Sequence, residues 1–377
     1  MISLSRHAVL SAATALATAS VVGCTSRTVA TAENLPQADT FAVSSERASA
    51  ARQFVDSVRT AHGLPALSAA VAVDGRVVWA YAAGWADSAA ARAATTATVF
   101  RIGSVSKLLT ATATAWLSQR GVLDLDQPLR ELVPQTPVSE PPITPRLLAG
   151  HLAGIRHYGR SDFVSRARYS SVAASLPRFI DDSLVAIPGT RYAYSSYGYN
   201  LLGAALERAA GKEFRAIIAD EVTTPLQLRS VLASDSSQLP NEASYYSAGA
   251  DRTRTEAPFV DLSDRWPSGG YVATAADLAL LGSSVFANGY LSPAARTLLL
   301  TPMQTSDGKS TGVGLGWRVA TDSHGRRIAH HGGESMGSRA FLLAYPDEQV
   351  GIAIITNLSF ARIGDAEALR IADLLLR

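Results

Sequence analysis

Strand-like runs lie near the two ends of this 377-residue chain, and the long stretch between them reads as helix and loop. Residues 67–73 and 77–83 are rich in β-branched and small apolar side chains, and Asp74-Gly75 between them has the form of a hairpin turn. Strand patterns return at 317–320, 327–330, 340–345 and 351–356, with turns at 323–325 and 346–347. Neither set is large enough to bury a core alone, so the simplest packing joins them in one antiparallel sheet. Helical patterns at 46–61 and 364–376 are placed to cover it. From about 123 to 262, prolines at 128, 134, 137, 141, 142 and 145 break the chain, and helical spacing recurs at 146–152, 172–180, 199–210 and 214–222. Another helix is expected at 275–287. The expectation is an α+β fold: a sheet drawn from both chain ends, flanking helices, and a helical lobe inserted from the middle.

One stretch within this plan carries chemistry. Residues 100–109 read Phe-Arg-Ile-Gly-Ser-Val-Ser-Lys-Leu-Leu and open a helix that should run to about Arg120 and stop at Gly121. Ser104 and Lys107 are three apart and share a face. A serine there sits beside unspent backbone N–H groups, and a desolvated lysine beside it can act as a base. Spacing alone better describes an N-capping serine followed by a surface lysine. The basic residues tilt the balance: of 34, only three are lysine, at 107, 212 and 309. Arginine cannot take up a proton, whereas lysine can.

With a net charge of +2 and 18% charged residues, the chain has no basic tract or aromatic-basic interleaving for nucleic acid. Histidines 151, 157, 330 and 331 lack the spacing of a metallohydrolase, so neither metal nor cofactor is expected. The N-terminus reads as a signal peptide over 1–23: Arg6 and His7 precede an apolar run from 8 to 22. It ends in Val21-Val22-Gly23-Cys24, which resembles a bacterial lipobox, and Cys24 is the one cysteine of the chain. A lipid-anchored envelope protein is expected, facing the periplasm and held at the outer membrane in a Gram-negative cell; ordinary secretion is the alternative. Residues 24–45 have a tether composition, and the folded domain is placed at 46–377.

Two further stretches bear on the site. Residues 191–203 are dense in tyrosine and serine ahead of a helix, and Tyr194 held near a lysine could serve as a general base. His330-His331-Gly332-Gly333 ends a strand, where glycines allow close approach of a ligand; His331 reads as a surface histidine. Gly333-Glu334-Ser335-Met336-Gly337 has the form of a nucleophile elbow, but no histidine follows residue 331 to complete its triad. Gly308-Lys309-Ser310 lacks the rest of a phosphate loop.

Together these segments resemble the serine β-lactamase and penicillin-binding-protein superfamily, in its class C-like branch. Ser104-Val105-Ser106-Lys107 matches the Ser-x-x-Lys box, Tyr194-Ser195-Ser196 stands at Tyr-x-Asn, and His330-His331-Gly332 stands at Lys-Thr-Gly or His-x-Gly. Phrases such as His151–Tyr158 are similar to the mitochondrial serine β-lactamase-like proteins and their bacterial relatives. The resemblance implies Ser104 as nucleophile, Lys107 as its partner, Tyr194 as general base, and the N–H groups of Ser104 and Gly333 as oxyanion hole. It implies His330 in place of the family lysine and Ser196 in place of asparagine, departures that fit a peptidase or esterase better than an efficient β-lactamase. The substrate implied is a small peptide or ester. The alternative is a non-catalytic envelope scaffold, sensor or filament-forming protein on the same fold, and self-assembly is compatible with both.

Overall fold

The structure is a computed structural model that describes residues 43–234, 239–249 and 254–376. The segments expected to be a leader and a tether, with Cys24, lie outside these residues as far as residue 42.

Helix α1 (Ser45–Ala61) begins at Ser44, whose hydroxyl accepts from Arg47 N. Strands β1 (Ala66–Val73) and β2 (Arg76–Asp87) form the expected hairpin, and β3 (Arg92–Ala93) pairs beside β2. The C-terminal strands are β4 (Arg318–Thr321), β5 (Arg327–Ser335), β6 (Ser338–Tyr345) and β7 (Val350–Thr356). The seven make one antiparallel sheet in the order β3-β2-β1-β7-β6-β5-β4. Its centre joins the chain ends: Leu67 lies opposite Thr356, and Val73 opposite Val350. One face carries Val71, Phe341, Leu343 and Ile352 into a core closed by α1 and the C-terminal helix (Asp365–Leu376). The other face packs on Ala275–Ser284, and that core continues without a break into the helical half.

Helix α2 (Ser106–Gln119) runs through the middle of this second core and is buried on nearly all sides. Its Thr-Ala alternation permits this. Small side chains let neighbours approach, and Thr110, Thr112 and Thr114 spend their hydroxyls on the carbonyls of Pro267, Leu108 and Thr110 at 2.6–2.8 Å. Helix α3 (Ser196–Ala210) crosses nearby and ends on Gly211 in the left-handed conformation.

Two departures from the sequence expectation bear on the site. Strand β5 does not end at His330 but continues to Ser335 and turns at Met336-Gly337. His-Gly-Gly-Glu-Ser has little intrinsic strand preference; complete pairing with β6 overrides it. Helix α3 also starts at Ser196, three residues earlier than its apolar periodicity suggests. A small sheet of Phe100–Arg101, Tyr271–Ala273 and Leu232–Ala233 and a helix at Pro293–Leu300 had no counterpart in the sequence reading.

Candidate active site

Gly103–Val105 form a single tight turn that leads into α2. Its bonds run from Val105 N to Ile102 O and from Ser106 N to Gly103 O, so the Ser104 N–H is unspent. Gly103 has φ +50, and a methyl there would lie 2.5 Å from the Glu334 carbonyl oxygen. Only glycine therefore lets the Ser104 turn press against β5.

Lys107 is fully buried; its Nζ donates to Ser268 O at 2.7 Å and Ser196 Oγ at 2.9 Å, and it lies in hydrogen-bond contact with Ser104 Oγ at 3.2 Å. The Nζ also lies 4.9 Å from the Tyr194 ring centre and 5.5 Å from that of Tyr199. Burial pushes the amine well below the ordinary lysine value, and no carboxylate appears among its hydrogen-bond or ion-pair partners to pull it back. Burial pushes the Tyr194 phenol the other way, above its usual value, although hydrogen bonds from Ser104 and Ser196 and the charge of Arg318 oppose the shift. Tyr194 is thus a neutral phenol at neutral pH.

Two histidines fix this tyrosine. His151 Nδ1 accepts from Ser195 N at 3.2 Å, and His157 Nδ1 accepts from Ser196 N at 3.1 Å. Their rings pack on Tyr194 with centroids 4.5 and 5.2 Å away. Each must be neutral to accept. Burial, the largest cause, depresses both, and His157 falls to about 4. In the sequence these histidines read as rejected metal ligands and otherwise only as part of a family-like phrase, since nothing local shows that 151–157 folds against 193–196.

The sheet edge corrects two expectations. In a strand, neighbours point to opposite faces. His330 stacks on Phe341 at 5.5 Å, on the face carrying the terminal helices, away from Lys107. His331 is buried on the side of Tyr194, 6.2 Å between ring centres, and that burial is the largest cause that lowers it to about 3. His331, not His330, therefore stands in the place expected for the family lysine. The oxyanion donor moves by one residue as well. The two-residue turn makes Ser335 and Ser338 the closing hydrogen-bonded pair. By alternation Gly333 bonds into β6, while Glu334 directs its N–H to the free edge beyond the end of β4, next to Gly103. Gly333 has a steric task instead: a methyl there would lie 1.9 Å from Ile102 O.

Ser104, Tyr194, Ser196, Gly332 and Glu334 line one cavity of about 240 Å³, with His157, Tyr158, Ser268, Phe163, Arg265 and Arg339. Ser268 is held by Tyr158 at 2.6 Å and by Asn200 at 2.8 Å. Among the described residues no cluster of three or more histidine, cysteine or acidic side chains is arranged for a metal. Cys24 lies outside the described residues.

A serine beside a buried lysine, set between the edge of an antiparallel sheet and a helical half, defines the class: serine hydrolases of the β-lactamase and penicillin-binding-protein superfamily. A profile of the Beta-lactamase family matches residues 49–376, and the chain belongs to that family. It is 27% identical to the human mitochondrial serine β-lactamase-like protein LACTB over 391 aligned positions, covering 79% of this chain and 72% of the relative. Among solved structures it is similar to the octameric penicillin-binding protein homologue of Pyrococcus abyssi, with TM-score 0.75 at 23% identity over 87% of this chain and 76% of that one. The D-amino acid amidase of Ochrobactrum anthropi SV3 gives TM-score 0.75 at 20% identity, over 88% and 98%. At these identities both show the shared fold.

Proposed function

We propose that this chain cleaves peptide, amide or ester bonds through an acyl-enzyme on Ser104, with at most weak turnover of β-lactams. The observation that carries the reading is the Lys107 amine, buried and in contact with Ser104, with no carboxylate among its partners. A neutral amine has two N–H groups. Ser268 O and Ser196 Oγ take them, which leaves the lone pair for the Ser104 hydroxyl.

The steps follow from these positions. Ser104 Oγ attacks the substrate carbonyl carbon as its proton passes to Lys107 Nζ. The negative oxygen that forms is met by the N–H groups of Ser104 and Glu334, and removing one such donor costs about 3–4 kcal/mol in comparable sites. The neutral Tyr194 phenol, between Ser104 and Ser196, passes a proton to the departing amine or alcohol and is reprotonated from Lys107. Water then repeats the sequence on the acyl-enzyme and releases the acid. Ser196 in place of asparagine and a neutral His331 in place of lysine remove two of the family's contacts for a β-lactam and its carboxylate. The amidase of like fold supports amide substrates. The octameric homologue supports self-assembly. Envelope placement through a lipid at Cys24 rests on the lipobox alone.

A fluorophosphonate probe should label the wild type and not Ser104→Ala. A panel of peptides, amides, esters and a β-lactam then orders the substrates. Equal labelling of both proteins would remove Ser104 from the mechanism, and absence of labelling in both would favour a scaffold.

A further inference from the structure

Phe360 combines three features that rarely meet. It is 71% exposed, its backbone has φ +53, and its N–H is tied to a carboxylate. The left-handed region is unfavourable for a bulky side chain, so this conformation persists because something holds it. The holder is Glu334, whose Oε1 accepts from Phe360 N at 2.7 Å. Glu334 is also the residue whose own N–H faces Ser104, so Phe360 is pinned to the oxyanion edge itself.

Opposite stands Phe163, which lines the Ser104 cavity and belongs to the helical half. The two rings are 6.4 Å apart, tilted by 30°. Phe163 is anchored too. Arg265 donates Nη1 to Phe163 O at 3.2 Å and Nη2 to Asp162 O at 2.8 Å, while Asp264 holds the Arg265 guanidinium at 2.6 Å. Two aromatic side chains, one from each side of the cleft, are thus fixed by charged residues that also line or buttress the cavity. An exposed aromatic held in a strained backbone does little for a core. The part of its ring not packed on Phe163 is open to a ligand.

We infer that the Phe163–Phe360 pair forms an apolar jaw against whose open faces an aromatic or large aliphatic side chain, carried by the substrate beside its scissile bond, packs. The inference rests on the hydrolase reading above and narrows it to substrates with a bulky apolar group. Phe163 lines the Ser104 cavity, and Phe360 is bonded to Glu334, which lines it too, so an occupant of the jaw belongs to the molecule being cleaved. Apolar burial at such a wall favours a phenyl group over a methyl group by tenfold or more.

The test compares p-nitrophenyl phenylacetate with p-nitrophenyl acetate in the full chain. The wild type should show a kcat/KM ratio of at least about ten. Phe360→Gly and Phe163→Ala should each bring that ratio down severalfold toward one, with fluorophosphonate labelling of Ser104 still present. Phe360→Gly also separates binding from structure. Glycine accepts φ +53 freely, so its melting temperature should hold within about 2 °C or rise. An unchanged ratio in both variants, or a wild type without preference, overturns the jaw. A wild type that hydrolyses neither ester and takes no label overturns the hydrolase reading instead.

Discussion

Lys107 donates its shortest hydrogen bond not to Ser104 but to the backbone carbonyl of Ser268, at 2.7 Å. That carbonyl belongs to a buried turn whose hydroxyl is fixed by Tyr158 and Asn200. The amine is therefore aimed by the helical half of the molecule, while the serine it serves is pressed against the sheet.

This aim makes Lys107 intolerant of exchange. Lys107→Ala and Lys107→Arg should each slow acylation of Ser104 by about a thousandfold or more, read as the rate of fluorophosphonate labelling. Lys107→Arg should also lose about 3 kcal/mol of stability in denaturant titration. A permanently charged, larger group would occupy a fully buried slot that offers no carboxylate.

The two adjacent histidines should behave oppositely. His331→Ala removes a ring packed behind Tyr194 and should lower kcat/KM at least about tenfold, whereas His330→Ala on the other face should stay within about threefold. The reverse order would show that the register of β5 has been misassigned.

The paired glycines separate in the same way. Gly333→Ala drives a methyl into Ile102 O and should cost about 3 kcal/mol or prevent folding. At Gly332 a methyl would meet only the flexible Arg339 and the Phe341 ring, at 3.4 and 3.5 Å, so Gly332→Ala should fold with a loss under about 1 kcal/mol. Thermal melts of the two variants decide it.

Acid should destabilise the protein well above the usual carboxylate range. His157 at about 4, His331 at about 3 and the strongly lowered His151 all lie below the unfolded value near 6.5. Each contribution is complete above about 6.5 and is lost as pH falls toward the folded values, at up to about 1.4 kcal/mol per pH unit per proton. Glu334, raised by burial to about 7, acts in the opposite sense between about 4.5 and 7. His330 is lowered too, while Glu207 and Asp277 are raised from ordinary values near 4 and join Glu334 on the other side; between pH 6.5 and 5 the four histidines outweigh them, so the melting temperature should fall there, and more steeply in Glu334→Gln. A flat profile would mean the histidines titrate normally.

How far the chain could be read depends on whether a signal is local. Periodicity, turn residues and the Ser104–Lys107 spacing are local, and they yielded the antiparallel sheet from both ends, the helical middle and the serine-lysine pair. Strand β5 was misjudged where it mattered, because residues 331–335 carry no strand preference of their own and are extended only by pairing with β6. That misjudgement placed His330 and Gly333 in roles that the alternation of side chains and N–H groups gives to His331 and Glu334. The clamps of His151 and His157, the Ser268 carbonyl and the Phe163–Phe360 jaw join segments remote in sequence, and no pattern along the chain announces them. The amino-acid sequence by itself determined which chemistry is present, a serine one helical turn from one of three lysines. Tertiary structure alone decided the working state of that chemistry. The proton affinity of Lys107, Tyr194 and His331 depends on water being excluded by residues from the whole chain, and only the folded packing excludes it.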